Sequence, residues 1–152
     1  MSNVRRRSPQ PHMFTTAMTN SALKAAEWVE FLARRPEFPS PERLRASFLA
    51  GNITRLCDCG CNTFDIEVPE STEVAALASS GSFGSFFEIN FEATAPSGPV
   101  ENGSIELIVF VDKRGHLAAV EVDFCGNSYP VPEHLIIKDH PYHVSRANQA
   151  DA

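Results

Sequence analysis

From Gly51 onward the apolar residues of this chain recur at every second position, and that alternation limits the fold more than any other feature of the sequence. Phe64, Ile66 and Val68 alternate with Thr63, Asp65 and Glu67, and Phe87, Ile89, Phe91 and Ala93 alternate with Glu88, Asn90 and Glu92. A period of two places successive side chains on opposite faces of a strand, so each segment reads as a half-buried strand with one wet face. Ile105 to Val111 and Leu117 to Phe124 continue the pattern, joined by Asp112-Lys113-Arg114-Gly115, a hairpin turn. A three-residue loop with Gly115 as bulge pairs Glu106 with Val122, whereas a two-residue loop sets Glu106 against Glu121. Repulsion between like charges favours the bulge. Ile108 and Phe110 add apolar side chains on the second face of their strand, which predicts a central strand covered on both sides.

Before Gly51 the period is helical. Ala25, Trp28, Val29 and Leu32 fall at i, i+3, i+4 and i+7, with Glu30 and Arg34 as an i,i+4 pair and Pro36 as the stop. A second helix is punctuated by Ser40 as N-cap, Pro41 at the first position, Glu42 near the positive end of the dipole and Gly51 at the close. Leu44, Phe48 and Leu49 are its expected packing residues. Together these signals predict an α+β fold: two N-terminal helices packed on a mainly antiparallel sheet of four to five strands.

The expected organisation is a disordered leader at 1–19, a single α+β domain at 20–144 and a loose C-terminal tail at 145–152. The leader has no apolar period to repay the entropy of ordering it. Ser71 to Ser85, rich in Ser and Gly, reads as a flexible connection, and Leu135 to Ile137 as an edge strand or a packed turn. A chain of 152 residues buries enough surface to fold without disulfide staples.

The formal charge of -6 argues against nucleic acid as a partner, because a phosphate backbone repels that sign. The dense basic run Arg5-Arg6-Arg7 lies in the leader and reads as a solvated tail. No segment has the ~20 apolar residues that cross a bilayer, and the polar stretch after the basic run lacks a signal-peptide core. The expected location is therefore cytoplasmic, where thiols stay reduced.

The concentrated chemistry of the sequence is Cys57-Asp58-Cys59-Gly60-Cys61, with a fourth cysteine at Cys125. Soft thiolates are metal ligands, zinc above all, yet C-x-C leaves one residue for the turn where zinc knuckles use two or more. If the strand extends through Gly60, the three cysteines share the face opposite Phe64, Ile66 and Val68. Cys125 has the parity of Glu121 and Asp123, so all four sulfurs meet there provided the two strands are neighbours. Two other readings stand beside the metal site: buried structural thiols, and a reactive or redox thiol at Cys59 or Cys61.

His134, His140 and His143 form a second candidate group, the last two with a gap that a metal can use. Glu88, Glu92, Glu106, Glu121 and Asp123 are explained by alternation alone. No G-x-S-x-G, Walker or G-x-G-x-x-G motif occurs, so no catalytic residue is assigned and the chain reads as a binding protein rather than an enzyme. An immunity- or antitoxin-type protein that meets a basic protein partner through an acidic face is the alternative.

CDCGCNTFDIEV and IVFVDKRGHLAAVEV resemble stretches of a loose group of small bacterial proteins. Their shared pattern is a helical N-terminal part, a C-x-C-G-C motif leading through a small residue to an apolar strand, and a hairpin with a V-D-x-x-G-x-L turn. Asn62 stands where that pattern carries proline. The resemblance implies a bacterial source and transfers no activity and no catalytic residue.

Overall fold

The computed structural model describes residues 20–81, 83–96 and 102–147. Two helices come first, α1 (Ala22–Ala33) and α2 (Pro41–Ala50), followed by β1 (Asn52–Leu56), β2 (Phe64–Glu67), β3 (Gly84–Thr94), β4 (Asn102–Val111), β5 (Leu117–Phe124), β6 (Ile136–Ile137) and β7 (His143–Arg146). The α+β class holds, but among the described residues the sheet has seven strands, not four to five. Its order is β1-β2-β5-β4-β3-β6, with β7 also on β3, and every pairing is antiparallel. The additional strands β1 and β7 are edge pieces that are exposed along most of their length, so no apolar alternation marks them in the sequence. The expected leader lies outside the described residues. The C-terminal tail, expected to be loose from Ser145, is instead paired through Arg146, because β7 lays Val144 opposite Ile89 and Ser145 opposite Glu88.

One face of the sheet meets the helices. Ala25, Val29, Leu32 and Ala33 of α1 and Leu44 of α2 join Phe64, Phe87, Ile89, Phe91, Leu107, Val109, Val120 and Val122 in a single buried cluster. Edge-on aromatic pairs tie the layers together: Phe31 with Phe91 at 5.6 Å, Phe38 with Phe87 at 4.9 Å and Phe48 with Phe64 at 5.9 Å. Each such pair contributes about 0.5–1.5 kcal/mol beyond its buried area. Glu30 links the helices, holding Arg34 one turn on and Arg45 of α2 at 2.9 Å. Two details of α2 differ from expectation. Leu49 is 83% exposed and Ser47 takes the inward position, while Ser40 makes no side-chain cap bond.

The β4–β5 register also differs, since Glu106 faces Asp123 and Ile108 faces Glu121. Residues directly opposite must lie on the same face, and pairing Glu106 with Val122 would turn one strand's apolar side outward. Exposing Val120, Val122 and Phe124 would forfeit about 1.5–3 kcal/mol each, against 0.2–1 kcal/mol for a like-charge pair. Burial wins, and Asn90 Nδ2 partly offsets the repulsion by donating to Glu106 at 3.0 Å. β4 is central, as expected, but among the described residues Ile108 and Phe110 are only half-buried and both helices lie on the other face.

The stretch from Ser71 to Ser85 is not a free connection. Leu77 and Ala78 are buried, and their amides donate to the Gly115 carbonyl at 2.9 and 3.1 Å. Gly115 sits at φ +80°, and a methyl group there would strike the Ala78 carbonyl. Gly81 has a similar φ, +88°, with open space around it. Gly115→Ala should therefore cost about 2–4 kcal/mol and Gly81→Ala about 1 kcal/mol, since only the first adds a collision to the left-handed strain. Denaturant midpoints of the two variants check this, and equal losses would show that the packing of this connection is not what Gly115 serves.

Candidate metal centre

β1 stops at Leu56 and β2 starts at Phe64, so the cysteine run is the turn between them rather than a continued strand. Gly60 at φ +92° and Asn62 at φ +63° break the extension. Proline, locked near φ -65°, cannot occupy the Asn62 conformation. The expectation of alternate cysteines on one strand face is thus overturned at Gly60.

The turn is held from several sides. Cys57 N–H donates to the Thr63 carbonyl at 2.9 Å and closes its base. Asn20 Nδ2, just ahead of α1, donates to both the Cys57 and Thr63 carbonyls, at 3.2 and 2.8 Å. Val131 N–H donates to the Gly60 carbonyl at 2.9 Å, and Pro130 packs where a Gly60 side chain would be. Val122 N–H of β5 donates to Thr63 Oγ1 at 3.1 Å, so the turn is fixed to the centre of the sheet through the β2–β5 pairing.

Within this frame the three sulfurs converge. Cys59 Sγ lies 2.7 Å from Cys57 Sγ and 2.8 Å from Cys61 Sγ, and all three are within 4.8 Å of one another. Sulfurs bound ~2.3 Å from one ion stand about 3.8–4.0 Å apart, so an outward movement of Cys59 by about 1 Å opens the cluster to an ion. Cys59 is exposed and has room for it, whereas Cys61 is 8% exposed. Three closely placed thiols of this kind can hold a metal ion. The opposite movement, by under about 1 Å, brings Cys59 to disulfide distance from either neighbour.

Cys125 stands apart. β2 and β5 are neighbours, which was the condition for a four-sulfur group, but Cys125 follows the last residue of β5 at φ +53° and its amide bonds to the Ser104 carbonyl. Its sulfur lies against Gly103 on β4, where any side chain would collide with it. The left-handed turn sends it away from the other three, and it is not in their group. Among the described residues no His, Asp or Glu joins them either. His134, His140 and His143 are exposed, and His143 Nε2 lies 3.8 Å from Glu88. Asn20, Thr63 and Pro130 carry no local signal for a role at this turn, because each reaches it through tertiary contact.

The thiols are electrostatically unequal. Hydrogen bonds shared with Cys57 and Cys61, together with burial, hold the proton on Cys59 and push its pKa up to about 12. Burial also opposes ionisation of Cys61, but bonds from Cys59 and from the Thr63 hydroxyl and amide outweigh it and leave this thiol below its ordinary value. The Arg55 guanidinium, bonded to Asp65 at 2.7 Å, is further stabilised by Cys57 and Cys61. Thiolate ultraviolet absorbance followed against pH should show an early ionisation that Cys61→Ser removes and a late one near pH 12 that Cys59→Ser removes. The opposite assignment would mean that Thr63 and its neighbours do not polarise the cluster as described. In comparison with protein-family models, curated proteins and solved structures, no match to this chain is found.

Proposed function

We propose that this chain is a non-catalytic metal-binding protein that holds one thiophilic ion, zinc or a softer one, in the β1–β2 turn through Cys57, Cys59 and Cys61. The convergence of three sulfurs within 4.8 Å carries this reading. The turn is pinned before any ion arrives, by Asn20, Thr63 and Val131, so little backbone entropy is lost on binding. Thiol ligands must lose their protons, so affinity rises with pH and falls in acid.

One equivalent of zinc or cadmium should bind and raise the melting temperature. An ion at 100 times its Kd adds about 2.7 kcal/mol, or roughly 5–10 °C for a domain of this size. Serine at Cys57, Cys59 or Cys61 should abolish the shift and Cys125→Ser should leave it intact. Titrations in which neither zinc nor a softer ion binds stoichiometrically or changes the melting would remove the proposal.

A second reading is favoured by the face of the sheet on which neither helix packs. Glu121 is raised in pKa by burial and then by Asp123, Glu106 and Asp65, with Arg55 opposing, which marks an acidic surface around the half-buried Ile108 and Phe110. Such a surface suits a basic protein partner, as an immunity- or antitoxin-type protein requires. Because the folded pKa of Glu121 lies above its unfolded value, the group is neutral at no cost below the unfolded value and destabilises the fold as pH rises through the folded one. Glu121→Gln should thus raise the melting temperature by about 1–2 °C at neutral pH, a small effect because the site is solvent-screened, and by nothing near pH 3. A gain independent of pH would show that mutual repulsion on this face is not its source.

A further inference from the structure

We infer that the site selects copper in its monovalent state, held by three sulfurs alone, over zinc; this rests on the metal-binding reading above. Structural zinc is almost always held by four protein ligands in a closed tetrahedron, and catalytic zinc by three with His or carboxylate among them. Here the donor set is three thiols, and among the described residues no His, Asp, Glu or fourth Cys lies within reach of all three. Thiolate softness favours Cu(I), a d10 ion that is satisfied by three sulfurs, whereas zinc in the same place must complete its shell with water.

The surroundings support the assignment. Cys57, Asp58 and Cys59 line one side of a cleft of about 330 Å³ whose other walls are Asn20, Leu56, Gly60 and Pro130. Cys61 is the most buried of the three thiols, and Cys57 and Cys59 face the cleft. An incoming thiol in this cleft reaches the ion without unfolding the turn, which makes it a place for ligand exchange. Three thiolates with Cu(I) carry a net charge of -2, and Arg55, whose charge is favoured by Cys57 and Cys61, compensates part of it. Each Cu–S bond forms as an S–H bond breaks and its proton passes to solvent. No electron moves, so no oxidant or reductant is needed.

The deciding experiment titrates the full chain anaerobically with Cu(I) held by bicinchoninate, repeats the titration with a tenfold excess of Zn(II), and records X-ray absorption of the copper form. The expected result is one Cu(I) per chain, retention against zinc, and three sulfur scatterers with no nitrogen or oxygen. Cys59→Ser, at an exposed position and with its fold checked by circular dichroism, should weaken Cu(I) binding at least ~100-fold, beyond the 10–100-fold that outer-shell changes cost. Cys125→Ser should change nothing. Zinc displacing copper, or a fourth protein ligand in the spectrum, overturns the copper assignment while the metal-binding reading survives. Failure of both ions to bind overturns both.

Discussion

The face of β3, β4 and β5 that lies beneath the helices has to be apolar along its whole length, and nearly every other feature follows from that requirement. Phe87, Ile89, Phe91, Leu107, Val109, Val120 and Val122 are buried there against α1 and α2. Side chains of this size gain about 1.5–3 kcal/mol each on burial, so a register that kept them together outweighs any pairwise preference on the far side. The acidic pair Glu106 and Asp123 is a consequence, accepted because the core residues beside it are correctly opposed. A sheet built this way sets Glu106, Glu121 and Asp123 on its second face beside the half-buried Ile108 and Phe110.

The cysteine turn draws its rigidity from the same sheet. A hairpin of two short strands, β1 and β2, would be marginal alone. Pairing of Phe64 with Val120 brings β2 onto β5, and the Val122 amide then reaches Thr63 at the root of the turn. Asn20 fixes the opposite flank while also bonding to the Ser21 amide at the start of α1, so a helix start and a metal-competent turn share one side chain. Preorganisation of this kind is what separates three cysteines that can act on one ion from three that are merely near in sequence.

The three thiols are also arranged to differ. Cys59 stands between two sulfurs at the mouth of the cleft, while Cys61 lies behind it with Thr63 for company. One position is exposed, and the other is buried.

The period of two, the helical stripe at Ala25, Val29 and Leu32, and the Ser40-Pro41 helix start were legible in the residues because they are local: each depends on side chains within one element. The concentration of thiols at Cys57, Cys59 and Cys61 was equally plain. Their convergence was expected from strand parity and came about through a turn instead, since a glycine between cysteines allows both conformations and only the contacts of Gly60 with Pro130 and Val131 choose between them. The fate of Cys125 was decided at a distance too, by a left-handed turn after β5 that sets its sulfur against Gly103. Sequence determined which faces are wet and which residues carry chemistry, because solvation and propensity act residue by residue. Register, the edge strands and the membership of the sulfur cluster were left to tertiary structure, because they depend on which distant backbone groups satisfy one another's hydrogen bonds.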